Sequence, residues 1–284
     1  MKRNPAFTAL LGALFAVTGM ACNSSPSFSP ALVAKASPPP FVGKEHGGLV
    51  ASAASTSRTV VPTPKGVSKS VYQPPDLSYW KCSWKEVEHG DLRSNEVALT
   101  FDADWSALYT IPIINALKAQ NERATFFITG HFCRKFPRET LALALAGMEI
   151  GSHSDTHPRF AKLDKKSIQQ QLENAEMSFQ ERFGQGVKPL FRFPYGESDQ
   201  ASRRTVAAAG YQPIYWSLDS LDSFGKEKSA RFIKRRILPR IKGGDIVLMH
   251  VSSKGAAEAL PAILTALKKR GLKVVPVSEL MKAG

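Results

Sequence analysis

A parallel α/β architecture is predicted by three features of the sequence. Seven short apolar runs, "EVALTFD", "ATFFIT", "MEIGSH", "LFRFP", "PIYWSL", "DIVLMH" and "LKVVPV", recur from residue 96 onward. Most are apolar on consecutive positions, as strands covered on both faces must be. Helical patterns separate them, and this alternation implies a parallel sheet, either a barrel or open. Finally, Asp102, His153, Arg192, Asp219 and His250 each fall at or just after the C-terminal end of such a run. In a parallel α/β fold those ends gather on one face, where active sites form.

The chain begins "MKRNPAFTALLGALFAVTGMAC", a basic tip, an apolar run from Ala6 to Val17, then small residues. Residues 1–21 therefore read as a secretory signal, the apolar run being too short for a membrane span. Cleavage after Ala21 would leave Cys22 first. That start resembles a bacterial lipoprotein signal, although Gly19 stands where such signals usually carry Leu, and it implies lipidation at Cys22; Gly19-Met20-Ala21 also fits ordinary small-x-small cleavage. Residues 22–75 are rich in Ser, Pro, Ala and Thr, without a sustained period, and read as a flexible linker. A folded domain is expected over 76–284.

Among the helix candidates, "KKSIQQQLENAEMSFQERFG" is the clearest. Ile168, Leu172, Ala175, Phe179 and Phe183 form one stripe, and Gly184 stops it. Three cysteines are an odd number for an exported protein; with lipid on Cys22, Cys82 and Cys133 are left as a disulfide pair. Two unpaired thiols are the other reading. The formal net charge is +14. Nucleic-acid binding would want basic residues interleaved with aromatics, whereas "KRR" at 234–236 sits in a helix-like run. An anionic envelope surface is the better partner for an exported chain, and no nucleic acid is expected. The sequence assigns no oligomeric state.

"GSHSDTHP" sets His153 and His157 four apart, within reach of one cation. An acid from "FDAD" completes a set of two histidines and a carboxylate, which leaves positions open for water and substrate, as in catalytic zinc sites. Asp102 and Asp104 would repel each other unless a metal or separate roles divide them.

"TFDADW", "HSDTHP", "RFPYG", "DSLDS" and "LMH" occur in the order and approximate spacing of the five motifs of polysaccharide deacetylases, carbohydrate esterase family four. The resemblance covers Glu96 to Leu280 and implies an irregular (β/α) barrel of about seven parallel strands. Residue by residue, it implies Asp102 as catalytic base, His153 and His157 as metal ligands, and Arg192 as the group that orients the base. His250 matches the general acid, tuned by Asp222. The Tyr195 N–H matches an oxyanion donor, and Leu248 the lining of the acetyl pocket. Trp105, Pro194 and Asp219 are assigned beside them to substrate binding.

Three departures stand out. Ala103 separates acids that are usually adjacent, with Trp105 next; Asp104 is then the third metal ligand. Phe193 replaces the usual Pro before Pro194. Ser223 replaces the usual Trp after Asp222, which suggests a wider groove. The implied activity is a zinc-dependent hydrolase that removes N-acetyl groups from an envelope glycan, peptidoglycan first and chitin-type oligosaccharides second. A non-catalytic wall-binding module that keeps the fold is the alternative. The implied location is the periplasm or cell envelope, with membrane attachment only through lipid.

Overall fold

The computed structural model describes residues 71–77 and 82–283. The expected signal, the lipidation site at Cys22 and most of the linker lie outside these residues. Among the described residues, no helix is long and apolar enough to cross a membrane.

Strands and helices alternate: β1 (Glu96–Ala103), α1 (Thr110–Ala119), β2 (Thr125–Ile128), α2 (Gly130–Lys135), α3 (Pro137–Leu145), β3 (Glu149–Ser152), α4 (Lys165–Phe183) and β4 (Leu190–Phe191). There follow α5 (Gln200–Ala208), β5 (Gln212–Pro213), β6 (Leu218–Asp219), α6 (Ala230–Ile237), β7 (Ile246–His250), α7 (Lys254–Lys269), β8 (Lys273–Val274) and α8 (Val277–Leu280). Seven strands run in the order β5-β4-β3-β2-β1-β7-β6, each parallel to its neighbours. β8 pairs only with the start of β1. The sheet curls into an irregular barrel. Its gap is bridged by the segment before β1, where Val87 pairs with Ile214 and His89 with Asp245.

The predicted texture has a physical counterpart. β2 and β3 are buried at every position, and β1 at all but its first. Helices thus cover one face and side chains fill the other. α4 buries the predicted stripe of Ile168, Leu172, Ala175, Phe179 and Phe183. Asp164 caps its start by accepting the Ser167 N–H at 2.7 Å, and Gly184 ends it at φ 78°, a conformation open to glycine.

Three expectations need correction. "PIYWSL" is two strands rather than one: β5 stops before Ile214 and β6 begins at Leu218, freeing Trp216 to face the site. The fold also starts before residue 76. Tyr72 is buried, and its hydroxyl donates to the Ile150 carbonyl at 3.0 Å and accepts the Ile150 N–H at 2.9 Å. Lastly, Cys82 and Cys133 are free thiols. Cys133 is buried in the main core, its Sγ 3.4 Å from the Ser178 carbonyl of α4, whereas half-buried Cys82 lies near Lys188. A disulfide needs Cα atoms within about 7 Å and converging side chains.

Candidate active site

Every strand-end residue singled out in the sequence stands where the parallel topology requires. Asp102 is on the last turn of the pleat in β1, directly in register with His250, the last residue of β7. His153 follows β3, Arg192 follows β4, and Asp219 closes β6. A cavity of about 440 Å³ opens between them, lined by Asp102, Asp104, His153, His157, Tyr195, Asp219, Leu248 and His250. Gly196, Trp216, Ser223, Phe224 and Ser252 complete the lining.

Asp102 is held by Arg192. The guanidinium Nη1 donates to Asp102 Oδ1 at 2.8 Å and to Thr100 Oγ1 at 2.7 Å. Nε and Nη2 donate to the carbonyls of Ile214 and Tyr215, and the group lies 4.1 Å from the centre of the Phe127 ring. Arg192 is fully buried, so these contacts must satisfy it internally. Burial opposes charge on Asp102, yet the Arg192 guanidinium, with His153 and His250 beside it, outweighs burial and holds the carboxyl below the usual range.

A hydrogen bond fixes the tautomer of His153. His153 Nδ1 donates to the Arg192 carbonyl at 2.8 Å, which leaves the Nε2 lone pair facing Asp102 Oδ2 across 3.5 Å. His157 Nε2 faces Asp104 Oδ2 at 3.9 Å, and its ring sits edge-on to His153 with centroids 4.8 Å apart. Burial favours the neutral imidazole at both positions and pushes His157 down to about 4, the nearby His153 adding to the effect. The two share a turn, not a helix. Ser154 and His157 have φ of 70° and 59°, sparsely populated for residues with side chains. Asp155 accepts from Arg134, and the N–H groups of Asp155 and Thr156 donate to Gln171 of α4. This frame supports the strained turn.

The His153 lone pair stands opposite Asp102 with no proton between them, and the neutral His157 ring faces Asp104 beside it. That donor chemistry fits a divalent cation of zinc type. The donors stand apart rather than closed: among the described residues no three such side chains form a ready cluster.

His250 is built differently. Its Nδ1 donates to Asp222 Oδ1 at 2.8 Å, while its backbone N–H donates to Oδ2 of the same carboxylate, also at 2.8 Å. Burial disfavours the imidazolium, but the hydrogen bond and charge of Asp222, with the charges of Asp102 and Asp104, push His250 up to about 9. Its Nε2 remains for chemistry.

The remaining assignments divide. Tyr195 reaches the cavity because Pro194 opens a 3-10 turn in which Tyr195 has φ 61°. Its ring meets His157 at 4.5 Å and the Arg159 guanidinium at 4.4 Å. Gly196 follows with φ 63°, where a Cβ would come within 2.6 Å of Trp216. Pro194 itself is buried and does not line the cavity. Neither does Trp105, because β1 ends at Ala103 and the indole leans on His131 instead, ring centroids 4.2 Å apart. Asp219 lines the cavity while its Oδ1 accepts the Leu221 N–H at 2.7 Å. Trp216 and Phe224 were missed from the sequence, although Phe224, directly after Ser223, supplies an aromatic ring where the expected Trp is absent.

A model of the polysaccharide deacetylase family matches residues 89–214. The peptidoglycan-N-acetylglucosamine deacetylase of Bacillus cereus is 30% identical over 213 residues, covering 72% of this chain and 76% of that protein. The peptidoglycan-N-acetylmuramic acid deacetylase PdaA of Bacillus subtilis is 28% identical over 222 residues, 76% of this chain and 84% of that protein. Among solved structures, a CE4 family pseudoenzyme from Bacillus anthracis superposes with a TM-score of 0.66 at 29% identity, over 70% of this chain and 69% of that one. With the motifs, the curled parallel sheet and these similarities in agreement, the chain belongs to the polysaccharide deacetylase family, carbohydrate esterase family 4.

Proposed function

We propose that the protein hydrolyses N-acetyl groups on peptidoglycan amino sugars, with a divalent metal, zinc by donor type, at His153, His157 and Asp104. One observation carries this reading. Across a single cavity, one titratable group is pushed towards the base form and another towards the acid form: Asp102 below the usual carboxylate range, His250 up to about 9. Environments that drive two groups apart in this way mark an acid–base pair.

The Asp102 carboxylate, kept anionic by Arg192, takes the proton of a water attacking the acetamide carbonyl. The Tyr195 N–H is assigned to the oxygen that gains charge, and Leu248 gives the methyl group an apolar surface. His250, with Nδ1 held by Asp222, presents Nε2–H to the departing amine, which leaves poorly unless protonated. A bound cation supplies Lewis acidity, polarising the carbonyl and acidifying a nearby water. The names of the relatives support peptidoglycan as substrate. Acetate release from purified peptidoglycan, abolished by Asp102→Asn, is the test.

A second reading, a wall-binding protein without turnover, draws on the unclosed donor set, the inserted Ala103 and a structural neighbour described as a pseudoenzyme. Intact His153, His157, Asp102 and His250 argue against it. Export and lipid attachment at Cys22 rest on residues 1–22 and complete the proposal. Cys22→Ser should move the protein from the membrane to the soluble fraction, and a wild type that is already soluble and unlipidated would sink the anchor.

A further inference from the structure

Beside the catalytic cavity lies a second one of about 620 Å³, formed by α6 and the turn that follows it. Four arginines line it: Arg231, Arg235, Arg236 and Arg240. Elsewhere, Arg123, Arg134, Arg159 and Arg203 each meet a carboxylate. None of the four does so among the described residues. Two of them are held by neutral groups: Arg236 Nε donates to the Asp219 carbonyl at 3.0 Å, and Arg240 Nη1 to the Arg236 carbonyl at 2.9 Å. Each guanidinium has five N–H donors, so most remain for a partner. The sequence explains the clustering. In "ARFIKRRI", Ile233 and Ile237 are buried, which turns the cationic positions outward.

One stretch of chain, residues 219–224, contributes to both cavities, and Arg236 bonds the Asp219 backbone within it. Asp219, Ser223 and Phe224 face the catalytic side, and Leu221, with φ 59°, faces the arginines. A polymer lying across Phe224 would therefore bring its substituents to this groove. Arginine forks match carboxylates bidentately, and positive charge without internal partners favours an anionic ligand. Peptidoglycan carries carboxylates on its peptide substituents, or on the lactyl group where the peptide is missing, whereas chitin-type chains carry none.

We propose that this groove binds carboxylates on the glycan whose acetyl group occupies the catalytic cavity, selecting acidic, peptide-bearing glycans over neutral ones. The inference rests on the deacetylase reading and names the substrate feature that it recognises.

The experiment compares acetate release from a peptide-bearing peptidoglycan fragment and from a neutral N-acetylglucosamine oligosaccharide of equal length. The variant is Arg231→Gln/Arg235→Gln/Arg240→Gln, and Lys162→Gln/Lys165→Gln/Lys166→Gln on another face controls for net charge. Three exposed charge contacts together predict about a tenfold rise in KM for the acidic fragment. KM and kcat on the neutral sugar stay constant, which also reports an intact fold, and the lysine variant behaves as wild type. Equal losses on both glycans, an equal effect in the lysine variant, or no change on the acidic fragment would overturn the proposal. So would polyphosphate competing for the groove while wild type shows no preference for the acidic glycan. If wild type releases acetate from neither glycan, the deacetylase reading fails. Equilibrium binding of the acidic fragment then tests the groove, with the same tenfold loss in the arginine variant expected.

Discussion

Arg192 and Asp102 meet at 2.8 Å although β3 and β2 separate their strands in the sheet. Neighbouring strands lie about 4.8 Å apart, so three such steps in a flat sheet would exceed the reach of an arginine side chain. The contact spans the inside of a curled sheet, whereas Asp102 and His250 meet as register partners on the adjacent strands β1 and β7. Fold and candidate chemistry therefore meet at one buried ion pair.

Arg192→Met should leave Asp102 as an unpaired buried charge and cost about 3–5 kcal/mol of stability. The midpoint of urea unfolding measures it. Adding Asp102→Leu should restore most of the stability and none of the activity. A single variant as stable as wild type would mean that the pair is dispensable to the fold.

His250 should make stability and activity pH-dependent through Asp222. Its pKa is raised in the folded protein, to about 9 against roughly 6.5 unfolded. The folded state therefore holds the extra proton, and the added stability is complete below about pH 6.5 and lost as pH rises through about 9. The amount is on the order of 3 kcal/mol. In Asp222→Asn this slope should disappear, and the basic limb of the kcat profile should move towards neutrality. An unchanged basic limb would remove His250 from the acid role.

The thiols offer a simpler check. In native protein, half-buried Cys82 should react with a maleimide, and buried Cys133 only after denaturation. Peptide mapping without reductant should find no Cys82–Cys133 bridge. Finding one would return the pairing expected from the cysteine count.

Much of the site was legible because parallel topology converts sequence position into spatial position. Asp102, His153, Arg192, Asp219 and His250 needed only their places at strand ends to be brought together. What failed depended on local backbone. Trp105 follows the end of β1 by two residues, and its ring found His131 rather than the cavity. Pro194 acts by opening the turn that presents Tyr195. Closure by Val87 and His89 rests on two isolated pairings, which leave no periodic signal. The disulfide was inferred from a count, and a count carries no distance.

Tyr72 ties the segment before residue 76 into the fold. Tyr72→Phe removes a hydroxyl that serves both the N–H and the carbonyl of Ile150, leaving buried polar groups at a cost of about 1–3 kcal/mol. A chain beginning at residue 76 should lose at least as much, read by thermal unfolding. Equal stability would return residues 71–75 to the linker.

Acetate release, measured together with bound metal, tests the division of labour between Asp102 and Asp104 most directly. Wild type supplied with zinc should free acetate from peptidoglycan. Asp102→Asn should keep its metal and lose about 10²–10⁴-fold in turnover, as expected for a positioned base. Asp104→Asn should bind zinc more weakly and recover part of its activity as zinc is added. A wild type that binds zinc yet releases no acetate would contradict the hydrolase reading. Metal lost in Asp102→Asn, with metal and rate both intact in Asp104→Asn, would show that the two acids hold each other's roles.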